Sequence, residues 1–206
     1  MSRLLSPVIL VGFTMVRKNK NFNIIVAGVG GQGLISLAKI IAESAFSSGY
    51  DIKTSELHGL SQRGGSVKIN IRFGQKIYSP LVLKGKADLI IVLESQETLS
   101  NIYFSSAKTN FLINNEQTPT LGKTISEKKL VKEMKIFSNN FELVSAGETC
   151  QKELKTSAPT GIFLLSLALQ KKLLPLSEKS ILKAIKKILP KKYWEVNLKA
   201  FELSKK

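Results

Sequence analysis

The chain is poor in the residues that build metal centres and oxidised scaffolds. Its 206 residues include one cysteine, Cys150, and one histidine, His58. A lone cysteine closes no disulfide within the chain, and without a C-x-x-C pair there is no thiolate set for zinc or an iron-sulfur cluster. A reducing compartment fits this usage. Cys150 as a nucleophile needs a neighbouring base, and His58 is far away in sequence, so the thiol reads as buried and inert. Arginine is scarce too: Arg3, Arg17, Arg63 and Arg72 stand against a formal net charge of +16 carried almost wholly by lysine. Readers of bases and phosphates favour the planar arginine fork. The lysines spread along the chain, with clusters at Lys18 and Lys20, from Lys128 to Lys135 and from Lys183 to Lys192. They read mostly as solvated surface. A basic nucleic-acid-binding module, favoured by charge alone, and an acidic protein partner are the alternatives. No segment approaches the run of about eighteen apolar residues that a membrane helix needs. Met1 to Thr14 imitates a short signal core but is too short to span and has no small-residue cleavage pattern after it. Residues 1–22 are expected to be an N-terminal extension, with Met15 an alternative start.

An apolar content of 43% with 22% charged residues predicts one folded domain over 23–206, with a helical part from about residue 157. Ile24 to Ala27, Ala87 to Leu93 and Thr109 to Asn114 are near-continuous apolar runs of the kind that parallel strands make when both faces are covered. Leu34 to Ser47 has helical spacing, and Gly49 stops it. Tyr50 to Ser55 is a second strand. Val67 to Phe73 alternates apolar and polar residues, and Gly74-Gln75 is expected to turn it back onto a short strand at Lys76 to Ser79, a hairpin that makes the sheet mixed. Ser95 is expected to cap a helix from Gln96 to Phe104. A weak helix over Ser126 to Met134, an outer strand at Phe141 to Ser145, and helices at Thr160 to Lys172, Ser177 to Ile188 and Tyr193 to Leu203 complete the pattern. Strands alternating with helices indicate a three-layer α/β/α Rossmann-like sandwich with a mostly parallel, mixed sheet and C-terminal helices.

The first strand ends in glycines, spaced Gly28-x-Gly30-x-x-Gly33, with Gly31 and Gln32 inside the turn. This spacing reverses the chain, lets a backbone approach a phosphate and packs a helix tightly on a strand. It can serve a dinucleotide site or plain packing. With Glu56 where a ribose-binding carboxylate would stand, a free-standing NAD(P)-binding protein is one reading. A second motif, Glu56-Leu-His-Gly-Leu-Ser-Gln-Arg-Gly-Gly-Ser66, puts Glu56, His58, Gln62, Arg63, Gly64 and Gly65 into one loop. A dehydrogenase does not continue this way.

Together, Gly28-Val-Gly-Gly-Gln-Gly33, Glu56 to Ser66, Val67 to Gly74 and Tyr78-Ser-Pro80 resemble the gamma-type domain of 2-oxoacid:ferredoxin oxidoreductases, the indolepyruvate enzymes above all. The resemblance is sharp up to about Glu94 and fades after Asn115. It implies a non-redox subunit of an enzyme that oxidatively decarboxylates a 2-oxoacid to an acyl-coenzyme A and reduces ferredoxin. In such enzymes thiamine diphosphate, magnesium and the iron-sulfur clusters belong to a partner subunit, and coenzyme A is co-substrate. The sequence agrees in having no Gly-Asp-Gly run followed by an asparagine to hold magnesium diphosphate, and no cysteine cluster. The resemblance gives this chain no catalytic residue of its own and no metal.

Ligands gather beyond the carboxyl ends of strands in open α/β sheets. The loops after Ala27, Ser55 and Leu93 would bring the glycine turn, Glu56, His58, Gln62, Arg63 and Glu94 to one rim. Arg63 reads either as an anion binder in a glycine-flanked loop or as an inter-subunit ion pair. His58 reads as a loop-fixing hydrogen-bonding group or an acid-base group. Tyr78-Ser79-Pro80 reads as a turn.

Overall fold

A computed structural model describes residues 21–58, 65–117 and 124–205. The expected N-terminal extension therefore lies largely outside the described residues, although Phe22 already belongs to the first strand.

Six strands form one sheet in the order β2-β3-β1-β4-β5-β6. They are β1 (Phe22–Val29), β2 (Asp51–His58), β3 (Ser66–Gly74), β4 (Leu89–Val92), β5 (Asn110–Asn114) and β6 (Phe141–Val144). The pairs β1–β4, β4–β5 and β5–β6 are parallel. β3 lies between β1 and β2 and is antiparallel to both. β4 is apolar throughout and β1 and β5 have apolar centres because both faces are covered there, and the pleat sends successive residues to opposite cores. Ile24 and Val26 enter one core, Ile25 and Ala27 the other.

The larger core is closed by α1 (Leu34–Ser47), α3 (Ala146–Leu154), α4 (Thr160–Gln170), α5 (Glu178–Ile188) and α6 (Trp194–Leu203). The smaller one is closed by α2 (Glu127–Phe137) and 3-10 turns at Ser95–Glu97 and Leu99–Phe104. The three layers are thus unequal in depth. Ser126 and Ser177 cap α2 and α5, accepting from Lys129 N at 3.4 Å and Ser180 N at 3.1 Å. α5 is tied to α1 by the Lys187–Glu43 ion pair at 2.7 Å and by Ser44 Oγ donating to Ser180 Oγ at 2.6 Å. That ion pair, with Ser47, holds the Glu43 carboxyl below its ordinary range.

Several expectations need correction. There is no strand at Lys76 to Ser79, because that segment gives its backbone groups to side chains. Ile77 N donates to Asp51 Oδ2 at 2.7 Å, Val82 N donates to Asn70 Oδ1 at 3.2 Å, and Arg72 Nη1 reaches the carbonyls of Ser79 and Leu81. The sheet is mixed for another reason, the insertion of antiparallel β3. The expected helix after Ser95 is two short 3-10 pieces, and Glu94 rather than Ser95 takes the cap, with a long 3.5 Å contact from Gln96 N. α3 escaped notice because Ala-Gly-Glu-Thr-Cys-Gln-Lys-Glu-Leu carries a weak apolar period and an early glycine. β2 runs on to His58, so Glu56 sits within a strand, not a loop.

Candidate functional site

The strand order reverses direction at β1. From it α1 leaves on one face toward β2, while the connection from β4 to β5 runs over the other face. A crevice opens beyond the carboxyl ends of the strands at such a switch point. Here it is a cavity of about 510 Å³, a size common among ligand pockets.

Its floor is the glycine turn. β1 ends at Val29, and Gly31 and Gly33 take φ of +99° and +77°, a left-handed backbone that other residues resist. Gly33 opens α1 with no side-chain cap, so the first amides of the helix are left for another acceptor. Gln32 folds back under the turn, and its Oε1 accepts from Val29 N at 3.0 Å. A Cβ on Gly28 would sit 2.6 Å from that same oxygen and 3.2 Å from the side chains of Leu34 and Leu93. Gly28 is therefore a packing glycine. Gly31, Gln32 and Gly33 face the cavity.

The wall opposite is built by residues distant in sequence. α4 begins at Thr160 and Gly161, again with no side-chain cap, and Tyr193 and Asn197 close the C-terminal side. The uncapped start of α1 is suited to a negatively charged group, whereas at α4 Thr160 N and Ile162 N already donate to Ser157 O at 3.0 Å and Pro159 O at 2.9 Å.

Asn114, at the end of β5 and 1% exposed, holds the third side. Its Nδ2 donates to Leu93 O and to Glu116 Oε2, both at 3.1 Å, while its Oδ1 accepts from Gly147 N at 3.0 Å. One amide thus clamps the ends of β4 and β5 to the first turn of α3. A neighbouring cavity of about 480 Å³ shares Asn114, Glu116 and Ser157 with the first. Sequence reading passed over Asn114 and Glu116. The polar run Asn114-Asn-Glu116 directly after the apolar Phe111-Leu-Ile113 was the available signal.

The sequence-predicted residues are partly united. Gly30 N donates to Gly65 O at 3.0 Å, so the two glycine-rich motifs meet at one rim. His58 pairs with Val67, and Val67 with Gly28, which sets all three at one level across the sheet. Glu56, exposed, pairs with Ile69 two residues further from the turn, and Glu94 is buried at the end of β4. Gln62, Arg63 and Gly64 lie outside the described residues.

This geometry does not favour a dinucleotide site of the ordinary kind. There the carboxylate strand adjoins the glycine strand, whereas β3 here separates β2 from β1. That doubles the separation to about 9.6 Å.

Cys150, on α3, is fully buried; burial pushes its thiol up to about 11, and Glu116 nearby adds to the rise. At pH 8 such a thiol is ionised to only about one part in a thousand. Native protein should resist iodoacetamide and take up one equivalent in denaturant; fast labelling of the native chain would contradict the buried placement. Among the described residues no group of three or more His, Cys, Asp and Glu could hold a metal ion, and no helix is long and apolar enough to cross a membrane.

Comparison with known proteins agrees with this fold. Residues 23–206 match the family described as pyruvate ferredoxin/flavodoxin oxidoreductase. Indolepyruvate oxidoreductase subunit IorB of Thermococcus kodakarensis is 35% identical over 196 residues, 91% of this chain and 96% of that protein. The subunit of the same name from Pyrococcus horikoshii is 32% identical over 198 residues, again 91% and 96%. Among solved structures, the gamma subunit of a keto/oxoacid ferredoxin oxidoreductase from Geobacter sulfurreducens superposes with TM-score 0.63 at 19% identity, covering 89% of this chain and 95% of that one. A 2-oxoglutarate:ferredoxin oxidoreductase from Magnetococcus marinus, solved with 2-oxoglutarate, coenzyme A and succinyl-CoA bound, gives TM-score 0.68 at 21% identity, covering 91% of this chain but 31% of that longer one. The match over residues 23–206 and the likeness of these relatives show that this chain belongs to the pyruvate ferredoxin/flavodoxin oxidoreductase family.

Proposed function

We propose that this chain is the non-redox subunit of a cytoplasmic 2-oxoacid:ferredoxin oxidoreductase, with an arylpyruvate, indolepyruvate first, as substrate. The enzyme releases the carboxylate of the 2-oxoacid as carbon dioxide, joins the acyl group to the sulfur of coenzyme A, and passes the electron pair to ferredoxin. The likeness to the two indolepyruvate oxidoreductase subunits, which runs through most of both chains, carries this reading.

The division of labour follows from the donor set. With one cysteine in the whole chain, the thiolates of an iron-sulfur cluster must come from elsewhere. A partner subunit bearing thiamine diphosphate, magnesium and the clusters supplies the decarboxylation and electron transfer, and ferredoxin docks on the assembled complex. This chain contributes the crevice between the starts of α1 and α4, where the uncapped first amides of α1 suit a phosphate or carboxylate of coenzyme A or the 2-oxoacid. Gly31 and Gly33 let the turn come close, while Gly28 and Gly30 shape it. Glu56, His58 and Gly65 lie toward the partner, and Gln62, Arg63 and Gly64 are assigned ligand or interface roles in the same motif. Nucleic acid is not the target of a surface whose cations are lysines.

The chain should be purified without oxygen from its native cells and its visible spectrum recorded. A brown co-purifying subunit with 2-oxoacid-dependent, coenzyme A-dependent viologen reduction is the expected result, with indolepyruvate preferred. A colourless, solitary chain would contradict the subunit reading. Activity in the chain alone would overturn the division of labour. Arg63→Ala is expected to lower activity or assembly at least tenfold while circular dichroism stays unchanged; wild-type turnover in a stable complex would remove that loop from the site.

A further inference from the structure

Ten large hydrophobic side chains are strongly exposed among the described residues, and five of them share one side of the molecule: Leu57, Tyr78, Leu81, Leu83 and Tyr103. They are linked through intervening residues rather than scattered. Leu57 pairs across the sheet with Lys68, whose ammonium lies 4.4 Å from the Phe104 ring. Phe104 meets Tyr103 edge to face at 5.2 Å, and Lys84 lies 5.5 Å from the Tyr103 ring. Gly85 N donates to Tyr103 O at 3.2 Å, which brings Leu83 alongside. The bonds from Arg72 and Asn70 to the 79–82 segment hold Leu81 and Tyr78 over the same face of β3.

Exposed apolar side chains gathered on one face mark contact surfaces, and tyrosines are enriched in them. β2 is also the last strand of the sheet among the described residues.

Charge decides what can cover this face. Lys53 pairs with Arg72 on it, Lys68 and Lys84 sit over its rings, and Lys76 lies 5.2 Å from the Tyr78 ring. Nearby carboxylates are engaged within the chain: Asp51 accepts from Ile77 N, and Glu97 accepts from Ser66 Oγ at 2.7 Å. Burial already lowers the pKa of Lys68, against the opposing pull of Glu97. A two-fold contact between copies would set these cations against themselves, on chains of net charge +16 each.

We propose that the face running from Leu57 across Tyr103 and Leu83 to Tyr78 docks an acidic, partly apolar surface of the catalytic subunit. This rests on the subunit reading above. The apolar centre gives contact area, and the lysine border selects an acidic partner over a second copy.

The test titrates the purified chain against the purified catalytic subunit. Wild-type affinity should fall about tenfold between about 50 and 300 mM salt. The pair Leu83→Glu with Tyr103→Glu should weaken binding by about a hundredfold, and Lys84→Glu by about tenfold. Phe46→Glu, an exposed residue of α1, should change it less than about twofold. Circular dichroism and Tm verify folding, and Leu83→Ser replaces the double variant if that fails to fold. A double variant that binds like wild type would overturn this docking face while leaving the subunit reading intact. A wild-type chain that binds no catalytic subunit would overturn both.

Discussion

Gly28→Val is expected to cost the chain about 3 kcal/mol of stability or more, the upper range for overfilling a packed site. A Cβ there meets Gln32 Oε1 at 2.6 Å and the Leu34 and Leu93 side chains at 3.2 Å, before valine's methyl groups are counted. Only the Gln32 amide can swing away cheaply, and doing so breaks its bond to Val29 N. Leu34 opens α1, and Leu93 lines the crevice, so the damage reaches the glycine turn. Gly28→Ala should cost about 1–2 kcal/mol, less in a Gln32→Ala background, because the closest obstacle is then gone. Urea unfolding of the four chains closes the cycle. Costs additive within about 0.3 kcal/mol would show that Gln32 is not what makes a glycine necessary at that position.

Asn114→Leu is expected to destabilise by about 2–4 kcal/mol although it preserves size. Three hydrogen bonds vanish at a site that is 1% exposed, and Gly147 N, Leu93 O and Glu116 lose their shared partner. Loosening the clamp also frees the ends of β4 and β5, so activity of the assembled enzyme should fall further than stability alone explains. Asn114→Asp sharpens the argument. Its carboxylate still accepts from Gly147 but faces the Leu93 carbonyl and the Glu116 carboxylate, so its pKa in the folded state is raised. A raised folded pKa means stability that is present at low pH and lost as pH rises. The variant should therefore approach wild type as pH falls toward about 4 and be worst near neutrality. A deficit independent of pH would contradict the Asn114 geometry.

The local pattern was strong enough to place most elements. Fully apolar runs marked the inner parallel strands, Leu34 to Ser47 coincided with α1, and Ser126 and Ser177 announced the helices they cap. These features depend on neighbours within a few residues, where propensity and periodicity act directly. The failures came where distant partners intervened. Lys76 to Ser79 has strand composition, yet Asp51, Arg72 and Asn70 take over the backbone bonding of the segment around it. Glu56 looked like a loop carboxylate because nothing in the chain tells how far β3 extends its partner.

The rim shows the same division. That Gly28 to Gly33 forms a tight turn before a helix was written in the glycine spacing, since left-handed backbone at Gly31 and Gly33 is a local requirement. So were the absence of a thiolate set and the lysine-dominated charge, which composition settles without any fold. Only tertiary structure decided that β3 stands between β1 and β2, that Asn114 clamps the crevice, and that the start of α4 and Tyr193 face the glycine turn. The physical reason is range: an apolar run specifies that a strand is buried, but which strand becomes its neighbour depends on the combined packing of segments far apart in the chain.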